Sequence, residues 1–103
     1  MKAKITKRLV DELRPGPKAI VVFDTELRGF ALKVTPAGRR VYQLRYRMGG
    51  RAAPLRTYTI GVHGAFTPDQ ARRTAQALLG DVRRGVDVAA DKTRRKVEDR
   101  TAP

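Results

Sequence analysis

The fold is decided by residues 30–48, which read FALKVTPAGRRVYQLRYRM. Apolar side chains occupy every second position over residues 30–34 and again over residues 42–48. Side chains with a period of two point to one face of a β-strand. The TPAG segment at residues 35–38 has the composition of a turn. This stretch therefore predicts two antiparallel strands joined by a turn, with one apolar and one polar face.

Two further segments extend this predicted hairpin into a sheet. Upstream, Ile20–Phe23 is a β-branched and aromatic run that is typical of a strand. Downstream, Tyr58 and Ile60 alternate with Thr57 and Thr59. The connections between these runs are short, so we expect an antiparallel sheet rather than parallel strands joined by crossovers.

Helical patterns lie on both sides of the sheet segments. Near the start of the chain, Thr6 can cap a short helix that runs to Leu13. After the sheet, Thr67 followed by Pro68 and Gln70 forms a capping-box signature. Apolar residues then follow at helical spacing up to Arg84. The predicted fold is α+β: a small antiparallel β-sheet of three to four strands packed against a C-terminal α-helix, with a short N-terminal helix.

Composition narrows the class of protein. The chain has 103 residues, 23 Lys plus Arg, 10 Asp plus Glu and a net charge of +13 at pH 7. It has no cysteine and one histidine, which excludes disulfides and thiolate zinc sites and argues against a histidine-rich metal site. No apolar stretch approaches the roughly 20 residues that span a bilayer, and the basic start lacks the apolar region of a signal peptide. We expect a soluble, intracellular, basic domain.

The positive charge is concentrated in the middle of the chain. Residues 27–68 contain no Asp or Glu but eight Lys or Arg. Because these charges repel one another in a folded domain, their concentration favours a polyanionic partner over a merely solubilising surface.

The polar face of the predicted sheet holds the side-chain types that contact phosphates and base edges, and a small sheet fits the major groove of DNA. The candidate DNA contacts on this face are Lys33, Gln43, Arg45, Arg47, Thr57 and Thr59. At the ends of the strands, the candidate phosphate contacts are Arg39, Arg40 and Arg51. The tyrosines alternate in phase with the apolar residues, so we expect Tyr42, Tyr46 and Tyr58 in the core rather than stacked on single-stranded bases.

The sequence contains little evidence for a catalytic site. His63 lies in a glycine-flanked loop without neighbouring acids, which favours a loop residue that touches phosphate over a general base. Asp24 and Glu26 could hold Mg²⁺ in a nuclease, but no third acid lies nearby. We predict no catalytic residue, no metal site and no cofactor.

Residues 24–39, DTELRGFALKVTPAGR, resemble the D-x-E-L-x-G-F-x-L-x-V-x-P-x-G-x-K/R signature of a known family. This family is the N-terminal arm-type DNA-binding domain of phage- and genomic-island-type tyrosine recombinases, or integrases. LRYR at 44–47, TIG at 59–61 and a helix with Ala71-Arg72 fit in order. Gly85-Val86-Asp87 resembles the closing G-x-D-P, with Val88 in place of proline. Val62-His63-Gly64 stands where the family usually has a basic-Tyr-Pro sequence.

The resemblance implies sequence-specific binding of double-stranded DNA at arm-type attachment-site repeats. It implies a DNA-binding domain at residues 1–87 and a linker or tail at residues 88–103, toward core-binding and catalytic domains that this chain lacks. Other integrase subunits would be contacted through those missing domains. The chain is then expected to be no enzyme, to use no small-molecule substrate and no membrane, and to lie with the nucleoid in the bacterial cytoplasm.

Three other functional interpretations of the residues stay open. An RNA-binding domain would place aromatic side chains on the exposed sheet face. A protein-interaction module would expose an apolar patch instead of a basic one. A basic domain with non-specific affinity for polyanions would bind any nucleic acid with the same strength.

Overall fold

The part of the chain described by the computed structural model, residues 1–49 and 52–90, contains five strands, two helices and a further helical segment at residues 88–90. In chain order these elements are β1 (Lys2–Ala3), α1 (Lys7–Glu12), β2 (Ile20–Asp24), β3 (Phe30–Val34), β4 (Arg40–Arg47), β5 (Leu55–Val62) and α2 (Pro68–Arg83). The predicted α+β class, with a sheet packed against a C-terminal helix, is confirmed.

The strands form one sheet in the order β1-β2-β3-β4-β5. The strands from β2 to β5 pair antiparallel, as predicted. The fifth strand, β1, is not predicted from the sequence; it pairs parallel with β2 and makes the sheet mixed. A two-residue strand such as Lys2–Ala3 shows no alternation in the sequence, because the period needs at least two repeats to be visible.

A β-bulge interrupts the pairing of β4 with β5. Gln43 pairs with Thr59, but the preceding Tyr42 pairs with Gly61, so that Ile60 is an extra residue in β5. The extra residue places Gly61 on the same side of the sheet as Tyr42.

Both helices begin where their capping residues predict. Thr6 Oγ1 accepts a hydrogen bond from the amide of Leu9 at 3.2 Å. Thr67 and Gln70 form a reciprocal capping box, in which each side-chain oxygen accepts from the other residue's backbone amide. Pro68 at the first turn of α2 costs no hydrogen bond, because the amides there have no partner within the helix.

The apolar face of the sheet and the helices share one core. Ile5 and Val10 close it from the N-terminal segment, and Ala71 and Ala75 bring α2 close to the strands. Each large buried side chain contributes about 1.5–3 kcal/mol of hydrophobic stabilisation. The core side chains of β3 and β4 match the predicted apolar face: Phe30, Leu32, Val34, Tyr42, Leu44 and Tyr46.

A buried ion pair connects three parts of the fold. Asp24, which is 3 % exposed at the end of β2, accepts hydrogen bonds from Arg72 of α2 at 3.0 and 3.1 Å. It also accepts from the amides of Ile5 and Leu27. Burial alone would raise the pKa of Asp24, but the hydrogen bonds from Arg72 and the two amides lower it below its ordinary value.

The segment after α2 folds back onto the sheet. The hydroxyl of Tyr46 donates to Asp87 Oδ1 at 2.5 Å and accepts from the amide of Ala89 at 2.9 Å. The other carboxylate oxygen of Asp87 forms a 2.8 Å ion pair with Arg56. Val88, placed in the predicted tail, is 6 % exposed and packs in the core. Residues 91–103 of that tail lie outside the described residues.

Candidate nucleic-acid interface

One face of the sheet carries both helices, and the opposite face holds most of the predicted DNA contacts. We call this opposite side the open face. Strand register aligns its side chains in rows, because residues paired across strands point to the same side. One row runs from Phe23 through Ala31 and Gln43 to Thr59. The open face consists of Val21, Phe23, Ala31, Lys33, Val41, Gln43, Arg45, Arg47, Leu55, Thr57, Thr59 and Val62.

Three side chains at the centre of the open face form one packed unit. Arg45 donates from Nη2 to Gln43 Oε1 at 3.2 Å, and its guanidinium carbon lies 5.7 Å from the centre of the Phe23 ring. Gln43 is only 8 % exposed, whereas the sequence placed it on an exposed polar face. The contacts with Gln43 and Phe23 restrict the guanidinium of Arg45 to a fixed position before any ligand arrives.

Gly29, in the turn between β2 and β3, lies close against the backbone of Arg45 in β4. Gly29 has φ +95° and accepts a 2.7 Å hydrogen bond from the amide of Arg45. A Cβ at this position would lie 2.6 Å from the carbonyl oxygen of Arg45. The glycine is therefore required both by its backbone conformation and by the close approach of β4.

The other predicted contacts on the open face lie beside this unit. Thr57 is opposite Arg45, Thr59 is opposite Gln43, and both threonines are exposed. Lys33 is half-buried between Val21 of β2 and Val41 of β4. The structure thus brings Lys33, Gln43, Arg45, Thr57 and Thr59 together on one surface.

The open face is less polar than the sequence predicts. Phe23 is 38 % exposed and Leu55 is 48 % exposed. Ile20–Phe23 is a β-branched and aromatic run in the sequence, and which of its residues face the core is visible only in the structure. Val22 and Asp24 are buried, while Val21 and Phe23 point to the open face.

The arginines at the strand ends have different environments. Arg39 is exposed in the β3–β4 turn, and Arg47 is exposed at the end of β4, where it donates to the carbonyl of Ala53 at 2.7 Å. Arg51 lies outside the described residues.

Arg40 points away from the open face and caps α1. Its guanidinium donates to the carbonyls of Val10 at 3.0 Å, Leu13 at 2.5 Å and Gly38 at 3.3 Å. It shares the phase of Tyr42, which is the phase of the core side, and this places it under the helix. Arg40 therefore satisfies carbonyls that the helix end leaves without partners, and its contact with phosphate stays a prediction.

His63 forms a structural link rather than a free loop contact. Its Nδ1 lies 2.7 Å from the hydroxyl of Tyr42, and its Nε2 lies 3.1 Å from Asp11 Oδ1 of α1. Burial, with a smaller contribution from the negative charge of Asp11, raises the pKa of Tyr42 to about 12. Tyr42 is fully buried, and the chain from Asp11 through His63 to Tyr42 attaches α1 to the sheet.

The charges of the open face are uncompensated. Within residues 1–49 and 52–90, the acidic side chains form ion pairs with Lys4, Arg8, Arg56, Arg72 and Arg84, and Asp11 contacts His63. Lys33, Arg45 and Arg47 have no acidic partner in this part of the chain. An uncompensated basic surface attracts polyanions.

In the described part of the chain, no three or more His, Cys, Asp or Glu side chains come together in a group that could hold a metal ion. Asp24, the first residue of the acidic pair considered for Mg²⁺, is fully occupied by Arg72 and two amides. Among the same residues, no helix is long and apolar enough to cross a membrane.

The chain matches a known protein family. A family model described as the Arm DNA-binding domain matches residues 3–95. A search of curated proteins found no match.

Proposed function

Because this chain belongs to the arm DNA-binding domain family of tyrosine recombinases, we propose that its open face binds double-stranded DNA with sequence specificity at arm-type attachment-site repeats. The observation that supports this most is the unit of Arg45, Gln43 and Phe23. It presents a fixed guanidinium on a surface whose cations have no acidic partner among the described residues.

The dimensions of the sheet suit the major groove. Strands lie about 4.8 Å apart, so β3, β4 and β5 together span roughly 10 Å. The major groove of B-DNA is about 12 Å wide and admits such a surface. With β4 in the middle, the side chains of Arg45 and Thr57 would reach base edges.

The roles within the open face follow from what each side chain already contacts. Arg45 is proposed to read a guanine, for which its planar guanidinium offers two parallel donors. Gln43 is proposed to position Arg45, since its amide oxygen already accepts from the guanidinium. Thr57 and Thr59 are proposed as further contacts to bases or backbone. Lys33, Arg39, Arg47 and Arg51 are proposed as phosphate contacts.

The module is proposed to work as part of an integrase. Residues 1–87 would form the DNA-binding domain, and residues 88–103 would lead to domains that bind the core sites and carry out strand exchange. In this proposal the chain performs no catalysis itself, uses no cofactor or small-molecule substrate, and meets other integrase subunits through those domains. A mobile element or phage in a bacterial cytoplasm, with its DNA in the nucleoid, is the expected setting.

Binding to three nucleic acids tests the proposal. The probes are a duplex that the protein selects from a randomised library, a scrambled duplex and single-stranded RNA, each titrated over a series of salt concentrations. We expect a preference of roughly 10³-fold for the selected duplex and a steep salt dependence. Equal, weak binding to all three probes would contradict sequence-specific recognition and favour the non-specific polyanion reading.

Substitution of Arg45 separates base reading from phosphate contact. Arg45→Ala is expected to lower affinity for the selected duplex by about five- to 150-fold, which corresponds to about 1–3 kcal/mol, and to relax the preference at one base pair. Lys33→Ala is expected to weaken binding to all duplexes evenly. Arg73→Ala, an exposed arginine on α2, is the matched control. An even loss on all sequences for Arg45→Ala would instead make Arg45 a phosphate contact.

A further inference from the structure

Two adjoining clefts extend the open face around one end of the sheet. The first lies between Phe23 and Leu55 of the open face, and the second reaches Leu79, Val82 and Arg83 on α2. Both clefts are lined by Arg28, Gly29, Arg45, Tyr46 and Arg47. Together they form a continuous groove, which we call the end groove, from the centre of the open face to the C-terminal part of α2.

The end groove concentrates positive charge. Four arginines line it, from β4, α2 and the β2–β3 turn: Arg28, Arg45, Arg47 and Arg83. Arg28, Arg47 and Arg83 are exposed, and none of the four forms an ion pair within residues 1–49 and 52–90. No acidic residue lines either cleft in that part of the chain. Four like charges around one groove repel one another, which favours an anionic ligand.

The lining also has an apolar part. Leu79 and Val82 of α2 are half-buried, and they lie on the side of the groove away from the open face. Arginine donors beside aliphatic surface suit a sugar–phosphate chain, in which anionic phosphates alternate with deoxyribose rings whose edges are largely C–H.

We propose that the end groove binds the sugar–phosphate backbone of one DNA strand, with Arg28 and Arg83 as phosphate contacts outside the open face. The inference rests on the proposed function, because continuity with the open face is what favours a DNA strand over another anion. A strand whose bases face Arg45 would continue past Arg47 and the turn at Arg28 toward α2. Binding there adds affinity and sets orientation but reads no sequence.

The salt dependence of binding tests this groove directly. Each lost phosphate contact reduces the magnitude of the negative slope of log Kobs against log salt concentration by about 0.9. The double variant Arg28→Ala/Arg83→Ala is therefore expected to bind the selected duplex with a shallower salt dependence, in which the magnitude of the slope is smaller by about 2. Its preference for the selected over the scrambled duplex is expected to stay unchanged. The matched control, Arg14→Ala/Arg73→Ala, removes the same charge from exposed positions outside the groove and is expected to keep the wild-type preference and nearly all of the wild-type slope.

The possible outcomes test the end groove and the proposed function separately. A slope for Arg28→Ala/Arg83→Ala equal to that of the control double variant would overturn the end groove while leaving the open face intact. An unchanged slope together with lost binding of a polyglutamate peptide would also overturn it, in favour of an acidic protein segment. If the wild type shows no preference for the selected duplex, the proposed function fails, and the slope comparison on scrambled duplex still decides the groove. Thermal unfolding of each variant confirms that it is folded.

Discussion

Asp24→Ala is expected to lower the free energy of unfolding by about 3–5 kcal/mol, the usual cost of removing one partner of a buried ion pair. The substitution leaves Arg72, whose side chain is 11 % exposed, without its main counter-charge. It also removes the acceptor for the amides of Ile5 and Leu27. Since small domains are stable by only about 5–15 kcal/mol, this loss is a large share of the total.

Urea denaturation measures this difference, with Glu26→Ala as the matched control. Glu26 is also an acid close to Arg72, at 3.8 Å, but its side chain is 49 % exposed. An exposed pair of this kind contributes about 1 kcal/mol or less. Equal unfolding free energies for the two variants would show that burial of Asp24 adds nothing, contrary to the structure.

The same pair predicts how stability depends on pH. The pKa of Asp24 is lowered in the native state, so its stabilising contribution is complete above the ordinary value of 3.8. The contribution is lost as the pH falls from there through the lowered native pKa. Asp24→Asn is expected to flatten the decline in stability below about pH 4 without abolishing it, because the pKa of Asp87 is also lowered, chiefly by its hydrogen bond from Tyr46. An identical acid profile for wild type and variant would exclude Asp24 as a source of the decline.

Tyr46→Ala is expected to cost about 3–5 kcal/mol of unfolding free energy, as truncation of a buried aromatic side chain generally does. Tyr46 is 5 % exposed and belongs to the core. Its hydroxyl also fastens the segment after α2 through Asp87 and Ala89.

Tyr46→Phe separates the two contributions of this side chain. It keeps the ring and removes the hydroxyl, so a smaller loss of about 1–3 kcal/mol is expected. Hydrogen exchange should show faster exchange at the amides of Ala89 and Ala90, which bond to Tyr46 and Asp87. Unchanged stability of Tyr46→Ala, combined with lost DNA binding, would contradict the core position of Tyr46 and indicate that its side chain contacts DNA.

Much of the fold was predictable because strands and helices leave local signals. Alternation along β3 and β4 assigned the core side chains, and the capping box at Thr67 located the start of α2. Contacts between residues far apart in the sequence leave no such signal. The pairing of Asp24 with Arg72 spans 48 positions, and the bond between His63 and Asp11 spans 52.

The candidate site was predictable where alternation alone decides which face a side chain takes. Lys33, Arg45 and Thr57 lie on the open face for this reason. Arg40 has the same parity as Tyr42, so its position on the core side of the sheet also follows from alternation. The packing of Arg45 on Phe23 and the close approach of Gly29 to the backbone of β4 are visible only in the three-dimensional arrangement.

The bulge in β5 determines where this strand tolerates a change in length. Deletion of Ile60 alone would leave Thr59 opposite Gln43 and Gly61 opposite Tyr42, so every other side chain would keep its face. Deletion of Thr57 would instead exchange the faces of Leu55 and Arg56, because a shift of one residue reverses the alternation. A single-residue deletion inherited by a related chain should therefore be found at position 60, and be selected against elsewhere in the strand.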